Sequence, residues 1–256
     1  MIAGIMNSVA GAGTLVTFPA LVAAGIPVVE ANATSTVALV PGAFGSMVGY
    51  RKQIGGSRPW ALGFALPSLI GGGVGAWLLL VTPPERFKAL VPYLVLGATF
   101  LFLIQRPAMR WLRSHRGGDQ ASDWYDGDTT RDIALTSTWP PASVLGYQFA
   151  VSVYGGYFGA GVGILMLAAL GFMGLGNIHR MNGLKNWGGL CMNAVAAGMF
   201  AFTKLVHWPV ALAMAVGAVT GGYIGSRTAQ RLPQGLVRGA IIAIGLVSGV
   251  SLLFTR

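Results

Sequence analysis

The chain has 256 residues, of which 54% are hydrophobic and only 9% are charged. A soluble domain carries about 25% charged residues, so this composition, with a mean hydropathy of +0.65, excludes an ordinary soluble protein and predicts a membrane protein with many spans. The formal net charge is +10, but the basic residues lie mostly between apolar segments, as cytoplasmic loop charges do, and nucleic-acid binding is therefore not expected.

The first half of the chain contains four apolar segments, at residues 2–24, 31–50, 60–81 and 87–104. A glycine cluster, Gly11-Ala12-Gly13, interrupts the first segment, and the third contains Gly71-Gly72-Gly73. Residues 105–138 then form a polar stretch with early arginines and later aspartates. Such a composition predicts a solvated linker.

The second half repeats this pattern with segments at residues 142–174, 181–202, 209–229 and 236–254. The first of them would be about 50 Å long as one helix, against a hydrocarbon core of about 30 Å. It therefore suits two part-length helices that meet at residues 159–163. Gly221-Gly222 in the third segment matches the glycine run of the first half. The sequence predicts an all-α polytopic protein with two membrane repeats of four segments, at residues 1–104 and 139–256, and a linker between them.

Basic residues distinguish two topologies. If both glycine-broken segments are re-entrant, each half crosses three times and the halves are inverted. One side then collects twelve basic residues: Arg51, Lys52, Arg58, Arg106, Arg110, Arg113, Arg116, Arg131, Arg180, Arg227, Arg231 and Arg238. The other side collects four: Arg86, Lys88, Lys204 and Arg256. If all eight segments cross, the same residues divide ten to six. The positive-inside rule favours the larger asymmetry, and hence inverted repeats with a cytoplasmic linker.

Several short motifs carry a family resemblance. The first half reads Asn7-Ser8-Val9-Ala10-Gly11-Ala12-Gly13-Thr14-Leu15, Phe18-Pro19-Ala20-Leu21, Gly25-Ile26-Pro27 and Ala31-Asn32-Ala33-Thr34-Ser35. The second half reads Gly159-Ala160-Gly161-Val162-Gly163, Asn182-Gly183-Leu184-Lys185-Asn186, Trp208-Pro209 and Gly221-Gly222-Tyr223-Ile224-Gly225. In order, spacing and repetition, these motifs resemble the sulfite exporter TauE/SafE family of membrane transporters.

The resemblance covers nearly the whole chain apart from the linker. It implies movement of small sulfur-containing anions, such as sulfite or sulfonates, across the bacterial inner membrane. Family members usually have more apolar sequence before the first glycine cluster, so the true start is expected upstream. One branch of relatives that transports thiosulfate uses several cysteines, and the single cysteine of this chain, Cys191, argues against that chemistry.

The two glycine clusters are the leading candidates for an anion site. Glycines at a helix break let backbone N–H groups point into the gap, and the following helix adds the positive end of its dipole. The candidate residues are Gly11, Ala12, Gly13, Thr14, Gly159, Gly161 and Gly163. The alternative role for glycines is close helix packing, which we favour for the runs in the third segment of each half.

Polar side chains add further candidates. Asn32, Thr34 and Ser35 could donate to an oxyanion, although Asn32 or Thr34 could equally cap the second segment. Lys185 lies inside an apolar helix, where a cation usually faces a cavity or a partner; the alternative is that it snorkels to the interface. Asn186 and Asn193 are predicted to share its path. A second rank of candidates comprises Asn7, Tyr154, Tyr157 and Glu30.

The pattern therefore predicts a secondary transporter or exporter of a small anion, working by alternating access, with no cofactor and no metal site. The sequence is also compatible with a coupled proton or cation. A passive anion channel is the first alternative, because sequence separates it poorly from a carrier. An intramembrane enzyme is disfavoured, because the apolar segments contain no HExxH motif, no cysteine pair and no acid pair.

Overall fold

A computed structural model describes residues 1–51, 54, 57–114, 136–173, 175, 177–228 and 234–254. Most of the predicted linker lies outside these residues. The described elements are helices: α1 Ile2–Ala10, α2 Thr14–Ala23, α3 Val28–Tyr50, α4 Arg58–Val81, α5 Pro84–Ser114, α6 Ala142–Tyr157, α7 Val162–Phe172, α8 Ile178–Ala201, α9 Trp208–Thr228 and α10 Gln234–Phe254. The prediction of an all-helical protein is confirmed for the part of the chain that the structure describes.

Most helix boundaries lie within a few residues of the predicted ones, with two informative differences. Helix α3 begins at Val28, so Asn32 and Thr34 lie in its second turn and do not cap it, and the capping alternative is wrong. Helix α5 continues to Ser114, beyond the predicted end of the fourth segment at Ile104. An α-helix does not require apolar residues once it leaves lipid, which explains why hydropathy placed that end too early.

Both glycine clusters separate two short helices. Helix α1 ends at Ala10 and α2 begins at Thr14; in the second half, α6 ends at Tyr157 and α7 begins at Val162. Gly11 and Gly161 adopt the left-handed backbone conformation, with φ of 66° and 74°. An L-residue at such a φ is disfavoured by contact of its Cβ with the backbone, whereas glycine adopts it freely.

The packing of the helices is nearly symmetric between the halves. Helix α3 packs against α9 and α8 packs against α4; likewise α6 packs against α4 and α1 packs against α9. Helices α3 and α8 contact each other, and so do α5 and α10. Each of these contacts therefore has a counterpart when every helix of the first half is replaced by the corresponding helix of the second half.

The segment formed by α6 and α7 begins and ends at the same end of the molecule. Val144 in the first turn of α6 and Leu170 near the end of α7 share one buried cluster with Trp60, which lies in the first turn of α4. At the turn between α6 and α7, the Phe158 ring lies 6.3 Å from that of Phe87, in the first turn of α5. Because α5 begins where α4 ends, Phe87 marks the far end of α4. The segment formed by α6 and α7 therefore runs along most of α4, turns at Phe158 and runs back to the end at which it began.

Glycines allow the long helices to pack closely. A Cβ atom at Gly72 would lie 2.5 Å from the carbonyl oxygen of Met192 in α8, and one at Gly42 would lie 2.6 Å from the carbonyl oxygen of Ala218 in α9. The predicted packing role of the glycine run in α4 is therefore correct at Gly72, where a backbone atom occupies the space of a side chain.

Gly72→Ala is expected to destabilise the protein by about 1–3 kcal/mol, because backbone atoms of α8 would have to move. Its sequence neighbour supplies the control: at Gly73 the nearest atom to an added Cβ is the Val195 side chain at 3.3 Å, which has some freedom to move. Thermal unfolding in detergent should show a lower Tm for Gly72→Ala than for Gly73→Ala. Equal Tm values would contradict the packing role of Gly72.

The outer surface is apolar. Phe44, Leu66 and Val216 are 62%, 64% and 69% exposed, and they lie on α3, α4 and α9. Within the described residues, two helices, Arg58–Val81 and Trp208–Ser226, are long and apolar enough to cross a membrane. An exposed apolar surface of this kind is unfavourable in water and favourable in lipid.

Candidate functional site

The two helix breaks meet each other inside the molecule. A Cβ atom at Gly11 would lie 2.6 Å from the Cα atom of Gly163. A Cβ atom at Gly159 would lie 3.8 Å from the hydroxyl oxygen of Thr14. Residues from the first cluster, Gly11 and Thr14, thus contact residues from the second, and the structure brings all the predicted glycine-cluster residues into one region.

Four buried backbone N–H groups at the breaks have no acceptor among the described residues. The N–H groups of Ala12, Gly13, Ala160 and Gly161 form no hydrogen bond within the described part of the chain, and all four residues are buried. A buried amide without an acceptor is costly, and nearly all such groups in proteins are paired. They lie at the N-terminal ends of α2 and α7, where the helix dipole is positive. The arrangement is chemically suited to a small anion.

The carbonyl groups on the other side of each break, by contrast, do have donors. Lys185 Nζ donates to the carbonyl oxygen of Ser8 over 3.1 Å, and Asn186 Nδ2 approaches the same oxygen at 3.5 Å. In the other half, Asn32 Nδ2 donates to the carbonyl oxygen of Tyr157 over 3.0 Å. Side chains of α8 and α3 thus cover the negative ends of α1 and α6. The four N–H groups at the positive ends of α2 and α7 have no acceptor in the part of the chain that the structure describes.

Lys185 is deeply buried. Its exposed fraction is 2%, so the ammonium group does not reach the surface and the snorkelling alternative is wrong. Within the described residues, it has no carboxylate partner. An unpaired buried cation is expensive in a membrane protein, and the Ser8 carbonyl compensates only part of its charge. In its protonated form, Lys185 therefore contributes positive potential close to the first break.

Hydroxyl groups of α2 and α3 lie beside the first break. Thr17 Oγ1 donates to the carbonyl oxygen of Gly13 over 3.1 Å and lies 2.5 Å from Ser35 Oγ. Thr34 is fully buried, and its hydroxyl oxygen accepts the backbone N–H of His207 over 3.0 Å. Ser35 is thus next to the glycine cluster, whereas Thr34 is bound towards α9.

The remaining candidates occupy different positions. The Asn7 carbonyl accepts the Gly11 N–H over 2.9 Å, and the Tyr154 hydroxyl donates to the Ala160 carbonyl over 2.7 Å. Each of these hydrogen bonds stabilises the backbone conformation of one break. The Tyr157 ring packs 5.6 Å from the Phe87 ring. Asn193 donates to the Gly189 carbonyl of its own helix over 2.8 Å. Glu30 contacts His207 at one end of α3.

The structure also identifies polar residues that the sequence analysis did not select. These are Ser8 and Asn182, whose side-chain oxygens are buried without a partner within the described residues, as is Oδ1 of the predicted candidate Asn32. The position of Asn182, one turn before Lys185, was the available signal. A separate buried cluster joins α4 to α6: Gln148 Nε2 donates to Ser68 Oγ over 2.9 Å. A glutamine inside an apolar helix was the signal for that contact.

One known protein family matches almost the whole chain. The family model described as "Sulfite exporter TauE/SafE" matches residues 1–252. The chain belongs to this family. No solved structure matches the chain.

Relatives carry names of the same kind. "Probable membrane transporter protein ORF9" from Sinorhizobium sp is 27% identical over 255 residues, covering 98% of this chain and 88% of the relative. "Probable membrane transporter protein YfcA" from Escherichia coli (strain K12) is 26% identical, covering 99% and 87%. A Haemophilus influenzae "Probable membrane transporter protein" is 23% identical, covering 100% and 92%. Family and names together indicate a membrane transporter and not an enzyme.

Proposed function

We propose that the protein is a secondary transporter that exports small sulfur-containing anions, sulfite or an organosulfonate, across the bacterial inner membrane. The observation that carries this proposal is the set of buried N–H groups at Ala12, Gly13, Ala160 and Gly161, which lack an acceptor in the described structure. An oxyanion supplies such acceptors. The site is neutral apart from Lys185, so an anion can bind without the cost of several buried charges.

In this proposal the halves are inverted repeats, each with three crossing helices and one re-entrant segment. The near-symmetric helix contacts support it, as does the cluster that joins both ends of the α6–α7 segment. Such repeats place a substrate near the bilayer midplane, between half-helices whose N-termini point at the anion. The end that carries Arg58 and Arg180 would face the cytoplasm, following the positive-inside rule.

Alternating access follows from the same arrangement. Since the two breaks belong to different repeats and contact each other, movement of one repeat against the other changes which end of the molecule reaches the site. Export of an anion down the membrane potential has about 2.3 kcal/mol per charge per 100 mV available. No coupled ion is required for that direction.

Binding of sulfite is expected to raise the Tm of the purified protein in detergent. A ligand at a hundred times its Kd stabilises by about 2.7 kcal/mol, which corresponds to a shift of several degrees for a chain of this size. The control is chloride at the same ionic strength, which offers a single acceptor and should give a smaller shift. If sulfite, sulfoacetate and other sulfonates shift the Tm no more than chloride does, the proposed anion site is wrong.

A further inference from the structure

Two polar contacts join the halves at opposite ends of the molecule. In the first turn of α3, Glu30 Oε2 contacts Nε2 of His207, which directly precedes α9. In the first turn of α8, Arg180 Nε donates over 2.7 Å to the hydroxyl oxygen of Ser57, which directly precedes α4. Exchanging the halves exchanges α3 for α8 and α9 for α4. The two contacts are therefore counterparts in the same symmetric arrangement.

The contacts lie far apart. Glu30 is at the start of α3, and Ser57 follows the end of that helix, so about 34 Å of helix separates the two ends. Each contact ties a helix of one half to a helix of the other. Under alternating access, the two halves must separate at one end while they stay together at the other. We call each end of the transport path a mouth, and these two contacts are positioned to hold the two mouths closed.

The two contacts differ in chemistry. Arg180 is 4% exposed and Ser57 is fully buried, and an arginine stays charged at all physiological pH values. The His207 and Glu30 side chains are 42% and 31% exposed, so protons reach them from solvent. Histidine is the side chain whose charge ordinarily changes between about pH 5 and 8. Only the Glu30–His207 contact can therefore be set by proton binding.

Other charged residues also lie at this end of the molecule. Glu85, Arg86 and Lys88 at the start of α5, and Lys204 between α8 and α9, have exposed side chains. Within the described residues none of them forms an ion pair with Glu30 or His207. Helices α1 and α2 contribute no charged side chain, α8 contributes none at this end, and Arg256 lies outside the described residues.

We propose that the Glu30–His207 pair is a proton-binding site that fastens one mouth of the transport path, while the Arg180–Ser57 contact fastens the other mouth independently of pH. The inference rests on the proposed transport function. Imidazolium and carboxylate attract each other, so the mouth beside His207 closes when the imidazole is protonated and Glu30 is ionised. Loss of the imidazolium charge as pH rises releases that mouth and leaves the opposite one unchanged.

The test uses a thiol reporter and needs no transported anion. Replacing the single cysteine by Cys191→Ser gives a cysteine-free chain, and Thr14→Cys then places a thiol at the first break. A membrane-impermeant maleimide is applied separately to each side of oriented vesicles. Glu30→Gln is expected to speed labelling from the His207 side by about two- to fivefold, the size expected of a half-exposed ion pair. Arg180→Gln should speed labelling from the opposite side.

Two further measurements make the test specific. Maleimides react with the thiolate, so a rise in pH speeds labelling from both sides, and the rate from the His207 side is therefore divided by the rate from the opposite side for the same thiol. Raising the pH from 5.5 to 8, about the range in which histidines titrate, should raise this ratio, and His207→Asn should abolish its pH dependence. The double variant Glu30→His with His207→Glu re-forms the pair with its two residues exchanged. Labelling from the His207 side should then be as slow as in the chain that keeps both original residues. A ratio of the two labelling rates that is insensitive to Glu30→Gln and to pH, or labelling that is absent from both sides in every variant, would overturn the proposal. Absence of sulfite flux through the unmodified protein, with the labelling pattern intact, would instead overturn only the assigned substrate.

Discussion

Lys185→Met is expected to lower sulfite transport by about 10- to 100-fold. The ammonium group is buried beside the first break and donates to the Ser8 carbonyl. In the proposed function the same ammonium group also attracts the bound anion; a hydrogen bond to a charged group contributes about 1.5–3 kcal/mol, and about 1.4 kcal/mol corresponds to a factor of ten. Removing the cation takes away positive potential that attracts the anion. Initial rates of labelled sulfite uptake into proteoliposomes, measured across a range of concentrations, would show the loss as a raised KM.

Lys204→Met is the matched control, since Lys204 is the same residue type in an exposed connection between α8 and α9. It should leave uptake within about twofold, because exposed charges are screened by solvent and salt. The Tm of each variant in detergent separates loss of folding from loss of function. Equal uptake by Lys185→Met and the unmodified protein, at equal protein density, would remove Lys185 from the transport path.

Gly11→Ala is expected to destabilise the protein by about 2–5 kcal/mol. Two costs combine at this position. A φ of 66° is unfavourable for alanine by about 1–2 kcal/mol. The added methyl group would lie 2.6 Å from the Cα atom of Gly163, and overpacking of this kind costs about 1–3 kcal/mol. The contact between the two breaks would open, so transport should fall with stability.

Two other glycines separate these costs. Gly25 has a φ of 86°, and no atom of the described residues lies within 4 Å of an added Cβ atom, so Gly25→Ala carries only the conformational cost. Gly97 lies inside α5 with equally open space and no unusual φ, so Gly97→Ala carries neither cost. Thermal unfolding should rank the Tm values Gly97→Ala, Gly25→Ala and Gly11→Ala from highest to lowest. A Tm for Gly11→Ala at or above that of Gly25→Ala would mean that the breaks do not pack as described.

The positions of the helices could be predicted from the sequence because lipid imposes a strong apolar pattern on each of them. Glycine clusters at residues 11–13 and 159–161 were visible as interruptions of that pattern, and the structure ends one helix and begins another at each. The far end of α5 could not be predicted in the same way. Its last turns carry polar and charged residues, which hydropathy cannot distinguish from a linker.

The partners of the candidate residues could not be predicted from one sequence. Lys185 binds the carbonyl of Ser8, and Asn32 binds that of Tyr157, across more than a hundred residues of chain. Nothing local in the sequence encodes such contacts, because they depend on how α3 and α8 cross the breaks of the opposite half. The same holds for Glu30 and His207, each of which has an ordinary local explanation at a helix start.

The most direct measurement is the uptake of labelled sulfite into proteoliposomes under an imposed membrane potential, with and without unlabelled sulfite or a sulfonate inside the vesicles. An anion carrier predicts uptake that is saturable, that follows the sign of the potential, and that is accelerated by internal substrate. Uptake that never saturates and does not respond to internal substrate would indicate a channel and contradict alternating access. Absence of flux for sulfite and for every sulfonate tested, at any potential, would contradict the proposed function itself.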